Sequence, residues 1–266
     1  MNRPLTVGLA ELTDDAHRID VTLASLPISF ASVDVADTVD VAIIDGNEGW
    51  PARVEDAFAE GARVVVLIEP ASGESIGHSP GPVIVDRVYA GNPAVAALSG
   101  VLADFSPSAL LEIRATVATG AEMRSRLCGL LALSRASTNE ELVDAEVVAH
   151  SLGGLVIRAR QANGRPVLLT ITVTDAVPEA VSLRVIGTAA AVEATIPAAN
   201  AARPALVTVS DGHGRRQLPT LYETSHRAAL RRARDIVRSG AGGDDLKAVG
   251  ADGALAGRLM NSTATA

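Results

Sequence analysis

Two stretches in the first third of this 266-residue chain, VDVAIIDG (39–46) and RVVVLIEP (63–70), are almost unbroken runs of apolar, largely β-branched residues. A strand with one wet face alternates polar and apolar side chains, whereas a strand covered on both faces does not. The runs therefore read as neighbouring strands of a parallel sheet, which need a crossover between them. The intervening WPARVEDAFAEG provides it as a short helix with Pro51 in its first turn and Gly61 as its stop. LTVGLAEL (5–12) and ISFASVDV (28–35) read as two more strands, on either side of a helical DDAHRIDVTLASL. ASGESIGHSPGP (71–82) is loop-like, VIVDRVY is a strand, and NPAVAALSGVLADF is a helix with Asn92 at the N-cap and Pro93 at the first helical position. Residues 1–105 thus predict a doubly wound α/β domain.

The pattern then changes. LLEIRATVAT, GGLVIRARQANG, RPVLLTITVTD and AVSLRVIGTAAAVEATIP are strand-like and separated by Gly, Asn, Asp and Pro turns, with little helix between them. Residues 106–266 predict a second, α+β domain with a mostly antiparallel sheet. It ends in a helix over 223–240, whose Ala229, Leu230, Ala233, Ile236 and Val237 share one stripe opposite an arginine face, and in a last helix around Leu246, Val249, Leu255 and Leu259.

Composition removes several functions. A net charge of −8 argues against a nucleic-acid binder, since phosphate contacts need clustered Lys and Arg. Cys128 stands alone, which excludes a disulfide framework and a cysteine metal site. The histidines at 17, 78, 150, 213 and 226 show no metal-ligand spacing and read as solvated surface residues. No run is apolar and long enough to span a membrane, and acids stand where a leader needs an apolar stretch, so a cytoplasmic protein is expected. There is a single lysine, Lys247.

The order of these segments resembles the Gfo/Idh/MocA family of nicotinamide-dependent sugar and cyclitol oxidoreductases. VDVAIIDGNEGWPARVEDAFAEGARVVVLIEP is similar to the family's strand, helix and strand ending in Glu-Lys-Pro; Asn92-Pro93, the Asn163-Gly164 turn, Gly187-Thr188 and SHRAALRRARDIVRSG are similar to later segments. The resemblance implies a truncated Rossmann-like N-terminal domain followed by an α+β domain with a mostly antiparallel open sheet. It also implies NAD or NADP as cofactor, a sugar or polyol substrate, and a homo-oligomer or a hetero-oligomer with a related chain, formed through the open sheet. Its functional motifs are altered here. The three glycines of the dinucleotide turn fall on Glu11, Thr13 and Ala16, with Asp14 and Asp15 between them. Added Cβ atoms and acids there oppose a pyrophosphate, and Thr13 with two first-turn acids reads equally as a helix N-cap. Asp34 or Asp37 is left to meet a ribose, but Val35 runs almost directly into VDVAIIDG, so the helix of the adenosine-side wall is missing.

The lysine of Glu-Lys-Pro falls on Glu69 and its neighbouring Glu on Ile68; the later Asp and His positions fall on Leu133 and Ser137. A carboxylate cannot replace an ammonium that orients a hydroxyl and assists proton transfer, and Lys247 lies in the C-terminal helix. Usual nicotinamide chemistry is therefore not expected, and a binding or accessory subunit with a small-molecule ligand is. Candidate site residues are Glu69 as acid or base, Glu11, Thr13, Asn47 and Trp50 on the cofactor side, and Tyr89 and Asn92 in the substrate cleft. Trp50 either packs over the vacant cleft or stacks on a flat ligand.

Three alternatives stand beside this. The first is an active NAD(P)-dependent sugar or cyclitol dehydrogenase, and the second a cofactor-free isomerase or lyase using Glu69. The third is a serine hydrolase, because AHSLGG (149–154) is similar to a nucleophile elbow around Ser151, with Asp175 or Asp211 and His213 in order behind it. An elbow leads into a helix, however, and GGLVIRARQANG alternates like a strand. The cluster Arg227, Arg231, Arg232, Arg234 and Arg238 predicts a solvated face with ion pairs to Asp244 and Asp245, or an interface with an acidic partner.

Overall fold

A computed structural model of the chain describes residues 3–9, 18–33, 39–71, 73–198, 201, 203–240 and 245–263. Two compact units are present: Met1–Arg87 with Ser225–Gly253, and Val88–Thr224 with Ala254–Ala266.

The first unit holds strands β1 (Leu5–Leu9), β2 (Phe30–Val33), β3 (Val41–Asp45), β4 (Val64–Ile68) and β5 (Val83–Asp86), all parallel in the order β2-β1-β3-β4-β5. Every residue of β3 and β4 is buried, as their unbroken apolar sequence requires. One face carries α1 (Arg18–Ala24) and α5 (Ser225–Ser239): Ile19, Leu23, Leu230, Ala233 and Val237 close over Val7, Val41, Val64 and Val66. On the other face α2 (Trp50–Ala59) puts Trp50, Val54 and Ala57 against Ala42, Ile44, Val65 and Leu67. No helix lies between β4 and β5 among the described residues. The start of α6 (Leu246–Thr263) fills that place, with Leu246 and Val249 joining the same cluster as Val65 and Val83. Seven residues join β2 to β3, too few for a helical crossover, and residues 34–38 among them lie outside those described.

The second unit is built on an eight-stranded sheet in the order β13-β12-β11-β10-β6-β9-β8-β7. Its strands are β6 (Leu110–Val117), β7 (Glu146–Ser151), β8 (Gly154–Arg160), β9 (Pro166–Val173), β10 (Ala180–Ile186), β11 (Ala191–Pro197), β12 (Leu206–Asp211) and β13 (Gly214–Gln217). All pairs are antiparallel except β6 with β9. Alternate residues such as Leu111, Ile113, Leu169, Leu183 and Val192 face α3 (Pro93–Leu102) and α4 (Met123–Thr138) in one core, which Ala256 and Leu259 of α6 also enter. The opposite face carries a charged network in which buried Glu112 holds Arg114 at 2.5 Å and Arg184 at 3.5 Å.

Two expectations change. The division falls at residue 87 rather than 105, because Val95 and Leu98 of α3 pack against the antiparallel sheet, and α5 returns to the parallel one. The second unit also contains a sixteen-residue helix, α4, where little helix was expected between the strands.

Candidate functional site

In an open parallel sheet, ligands are bound beyond the carboxyl ends of the strands, next to the point where strand order reverses. Here β2 lies on one side of β1 and β3 on the other, so the reversal lies at β1 and β3. Residues 10–17, which follow β1 and include Glu11, Thr13, Asp14, Asp15, Ala16 and His17, lie outside those described, as do Asp34, Val35 and Asp37.

Beyond β3 the chain turns through Gly46. Its N–H donates to Ile68 O at 2.7 Å and its carbonyl accepts from Ala71 N at 2.6 Å. A Cβ at Gly46 would lie 2.3 Å from Pro70 Cα, so only glycine admits this approach of the loop after β4. Exposed Asn47 offers its carbonyl to the Arg53 guanidinium at 2.9 Å; the same side chain also reaches Asp45 O and Glu48 O. Gly49, in the left-handed region at φ 81°, precedes α2, and its N–H donates to both oxygens of Glu74, at 2.8 and 3.0 Å. An acid of the loop after β4 thus occupies the N-cap amide of α2. Trp50 is 0% exposed and lies wholly within the apolar cluster on this face of the sheet, a packing residue with no ring surface turned to solvent.

Glu69 follows the last residue of β4 with φ 43°, a conformation uncommon for a residue with a Cβ. Its N–H donates to Asp86 O at 2.9 Å, and its Oε2 lies 3.2 Å from Nη1 of Arg87. The Arg87 side chain is almost fully enclosed, whereas 37% of the Glu69 side chain reaches solvent. Next to them, at the end of β5, Asp86 is 1% exposed, and its Oδ2 lies 2.5 Å from Nδ1 of His226 in the first turn of α5, itself 2% exposed. The two side chains are hydrogen-bonded to each other inside the core of this unit. The strand ends of β4 and β5 therefore gather Glu69, Arg87, Asp86 and His226 in one unit.

Tyr89 and Asn92 belong to the second unit. Tyr89 is buried in its core, and Asn92 caps α3, its Oδ1 accepting from Ala94 N at 3.0 Å. Leu133 and Ser137 are interior residues of α4, and Ser137 Oγ donates to Ser134 O.

Sequence reasoning missed Arg87, Glu74 and the Asp86–His226 pair, and it took His226 for a surface residue. A signal for His226 existed: it stands three and four residues before Ala229 and Leu230, on the stripe that α5 buries. A lone arginine after a strand carries no comparable mark. On the same helix Arg232 forms the expected bidentate pair with Asp245, at 2.6 and 2.7 Å; Asp244 lies outside the described residues.

The serine-hydrolase arrangement is absent. Ser151 ends β7 in a hairpin with β8, its Oγ accepting from Gly153 N at 3.2 Å, and no helix follows. His213 lies in the turn between β12 and β13, its N–H donating to Asp211 Oδ1. Six interstrand steps separate β12 from β7, a path of about 29 Å along the sheet at ~4.8 Å per step. Hydrogen bonds from the Thr119 side chain and from its N–H, the latter at 2.9 Å, hold the Asp175 carboxyl below the usual range.

No family model matches the chain, and no curated protein matches it. Solved structures do. UDP-N-acetylglucosamine 3-dehydrogenase GnnA from Acidithiobacillus ferrooxidans is similar with a TM-score of 0.75 at 12% identity, covering 96% of each chain. A putative NADPH-dependent oxidoreductase from Desulfitobacterium hafniense reaches 0.79 at 10% identity, over 100% of this chain and 97% of that one. KijD10, a 3-ketoreductase from Actinomadura kijaniata, solved with NADP, reaches 0.71 at 13% identity over 97% of both. The fold is that of these oxidoreductases: a parallel Rossmann-like sheet and a second, mostly antiparallel one. Among the described residues no helix is long and apolar enough to cross a membrane.

Proposed function

We propose that this chain has the oxidoreductase fold without the usual nicotinamide chemistry and works as a binding or accessory subunit. The observation that carries this reading is the Glu69 carboxylate, held by the enclosed Arg87 at the strand end where the resemblance places a catalytic lysine. A carboxylate ion-paired to Arg87 cannot supply the positive charge with which an ammonium orients a hydroxyl and stabilises its alkoxide as hydride leaves. Among the described residues, the groups at the ends of β3, β4 and β5 are also committed to the chain itself rather than presented to a dinucleotide. The Gly49 amide is taken by Glu74, Arg87 by Glu69, and Gly46 serves the close approach of the chain's own Pro70. Isothermal titration with NAD(H) and NADP(H) tests the reading: no heat of binding is expected at millimolar cofactor, and micromolar affinity for either overturns it. Hydride transfer on a panel of polyols would establish the active dehydrogenase instead.

The accessory role requires a partner. The uncovered face of the eight-stranded sheet, with Arg114 and Arg184 around Glu112, is the surface for self-association or for a related chain. Light scattering should report a species larger than one chain; a monomer that co-purifies with nothing counts against this.

One observation favours a second reading, the cofactor-free acid–base enzyme. Glu69 is held in a left-handed conformation at a strand end, and backbone strain of that kind gathers at reacting groups. Solvent deuterium incorporated into a sugar ketone by the wild type and not by Glu69→Gln would support it.

A further inference from the structure

At the far edge of the second unit, a trough of about 730 Å³ runs between strand β7 and the last turns of α6. Its walls are Val143, Val147, Leu255 and Leu259, and its polar groups are Glu146, His150, Arg258 and Ser262. β7 is the outermost strand of the sheet, with β8 on one side and no strand on the other among the described residues, so one row of its main-chain groups faces outward. Large apolar side chains are exposed along it: Val143 at 47%, Val148 at 59% and Leu152 at 100%. Proteins blunt a free edge with charge or a bulge, and β7 has one acid, Glu146, and a bulge at Val148 between Val147 and Ala149. The ladder is regular on both sides of it, at Glu146–Val147 and again over Ala149–Ser151, and the extra residue leaves the Val148 side chain in solvent.

The charge of the trough selects the occupant. Glu146 is already bound to Arg158 at 2.5 Å on the neighbouring strand. Among the described residues Arg258 has no carboxylate within ion-pair distance, so it stands as the uncompensated charge of the trough in a chain whose net charge is −8, with the His150 ring beside it on the same lining. A second copy would bring the β7 sequence EVVAHS, whose single acid is the one Arg158 holds, and so offers nothing to Arg258.

We propose that this edge docks an extended segment of a partner protein in which apolar and acidic residues alternate. The segment adds a strand beside β7, places its apolar side chains against Val147, Leu255 and Leu259, and sets its acids on Arg258 and His150. Main-chain pairing gives affinity and the trough gives sequence preference, as in other strand-addition complexes. The trough lies within the second unit, so this stands whether or not the nicotinamide reading holds.

Fluorescence anisotropy with the full chain tests it, using three labelled, acetylated octapeptides: alternating Asp and Val, alternating Lys and Val, and a block of Asp followed by a block of Val. The alternating acidic peptide is expected to bind at least about ten-fold tighter than the other two, and Arg258→Glu to weaken it by about the same factor, a change of ~1.4 kcal/mol. Arg258 is an exposed helix residue, so its replacement leaves the core intact; circular dichroism confirms the fold. Val148→Asp should also abolish binding. Equal affinity for the lysine peptide, an affinity unchanged by Arg258→Glu, or no binding by any peptide at millimolar concentration overturns the proposal. So does a wild-type dimer that Val148→Asp dissociates, which would make the occupant a second copy.

Discussion

Replacing Gly46 by alanine adds one methyl group at a place where the surroundings are main chain. The new Cβ would lie 2.3 Å from Pro70 Cα, 2.4 Å from Ile68 O and 2.5 Å from Pro70 N, each about 1 Å inside ordinary contact. None of these atoms can rotate away, so the loop after β4 has to move by about that distance. The movement strains or breaks two short hydrogen bonds, Gly46 N to Ile68 O and Ala71 N to Gly46 O. Overpacking of this kind costs ~1–3 kcal/mol and each lost hydrogen bond about 1 kcal/mol, so the sum is roughly 3–5 kcal/mol. Trp50, the only tryptophan, is buried in the same unit four residues later and reports its unfolding directly. With a urea slope of ~1–3 kcal/mol/M, the Trp50 midpoint should fall by about 1–5 M. A midpoint within about 0.3 M of the wild type would refute the argument, because it would mean that the Gly46–Pro70 approach carries no constraint.

Three further outcomes follow from other sites. Burial opposes ionisation of Asp40, but the Thr6 amide and hydroxyl, Arg63 and Arg3 outweigh it and hold the carboxyl below its ordinary value. Its stabilisation is therefore complete above the unfolded carboxyl range and lost as pH falls through the lower folded value. In urea melts, Asp40→Asn should be less stable than the wild type at pH 7, with the gap closing below about pH 4. His226→Ala leaves Asp86 with neither of its oxygens bonded to an imidazole inside the core, so a loss of ~3–5 kcal/mol is expected, and His226→Ala/Asp86→Leu should recover much of it in the same Trp50-monitored melt. Gly100 is exposed in α3, and a methyl group there would meet nothing within 4 Å. It should accept alanine with a gain of ~0.5–1 kcal/mol by circular dichroism, and a loss would show that α3 needs its flexibility.

Where a segment's environment is written in its own residues, the sequence is a good guide. The unbroken runs that became β3 and β4 can only be strands covered twice, and Asn92-Pro93 can hardly be anything but a helix start. α4 escaped because Leu127, Cys128, Gly129, Leu130, Leu131, Ala132 and Leu133 are all buried, so the helix has no wet face to set a 3.6-residue rhythm. α3 and α5 were recognised as helices, but which sheet each covers depends on partners a hundred residues away. The candidate site divides in the same manner. Glu69 was visible because it replaces a motif residue, whereas its tie to Arg87 and the neighbouring Asp86–His226 pair depend on β4, β5 and α5 meeting, which no local pattern encodes.

The chain passes between the two units three times, at residues 87–88, 224–225 and 253–254. During synthesis this sets an order of events. When the first 87 residues leave the ribosome, Val64, Val66 and Ile84 still lack the cover that α5 brings through Leu230, Ala233 and Val237. The opposite face waits longer, for Leu246 and Val249. The N-terminal strands must therefore remain incomplete while the whole antiparallel sheet is made, with their apolar surface available to chaperones or to premature association. Truncation before residue 225 would leave that state permanent, so the parallel unit cannot be obtained as an N-terminal fragment, and a nascent chain stalled there should be far more sensitive to protease than one released after α6.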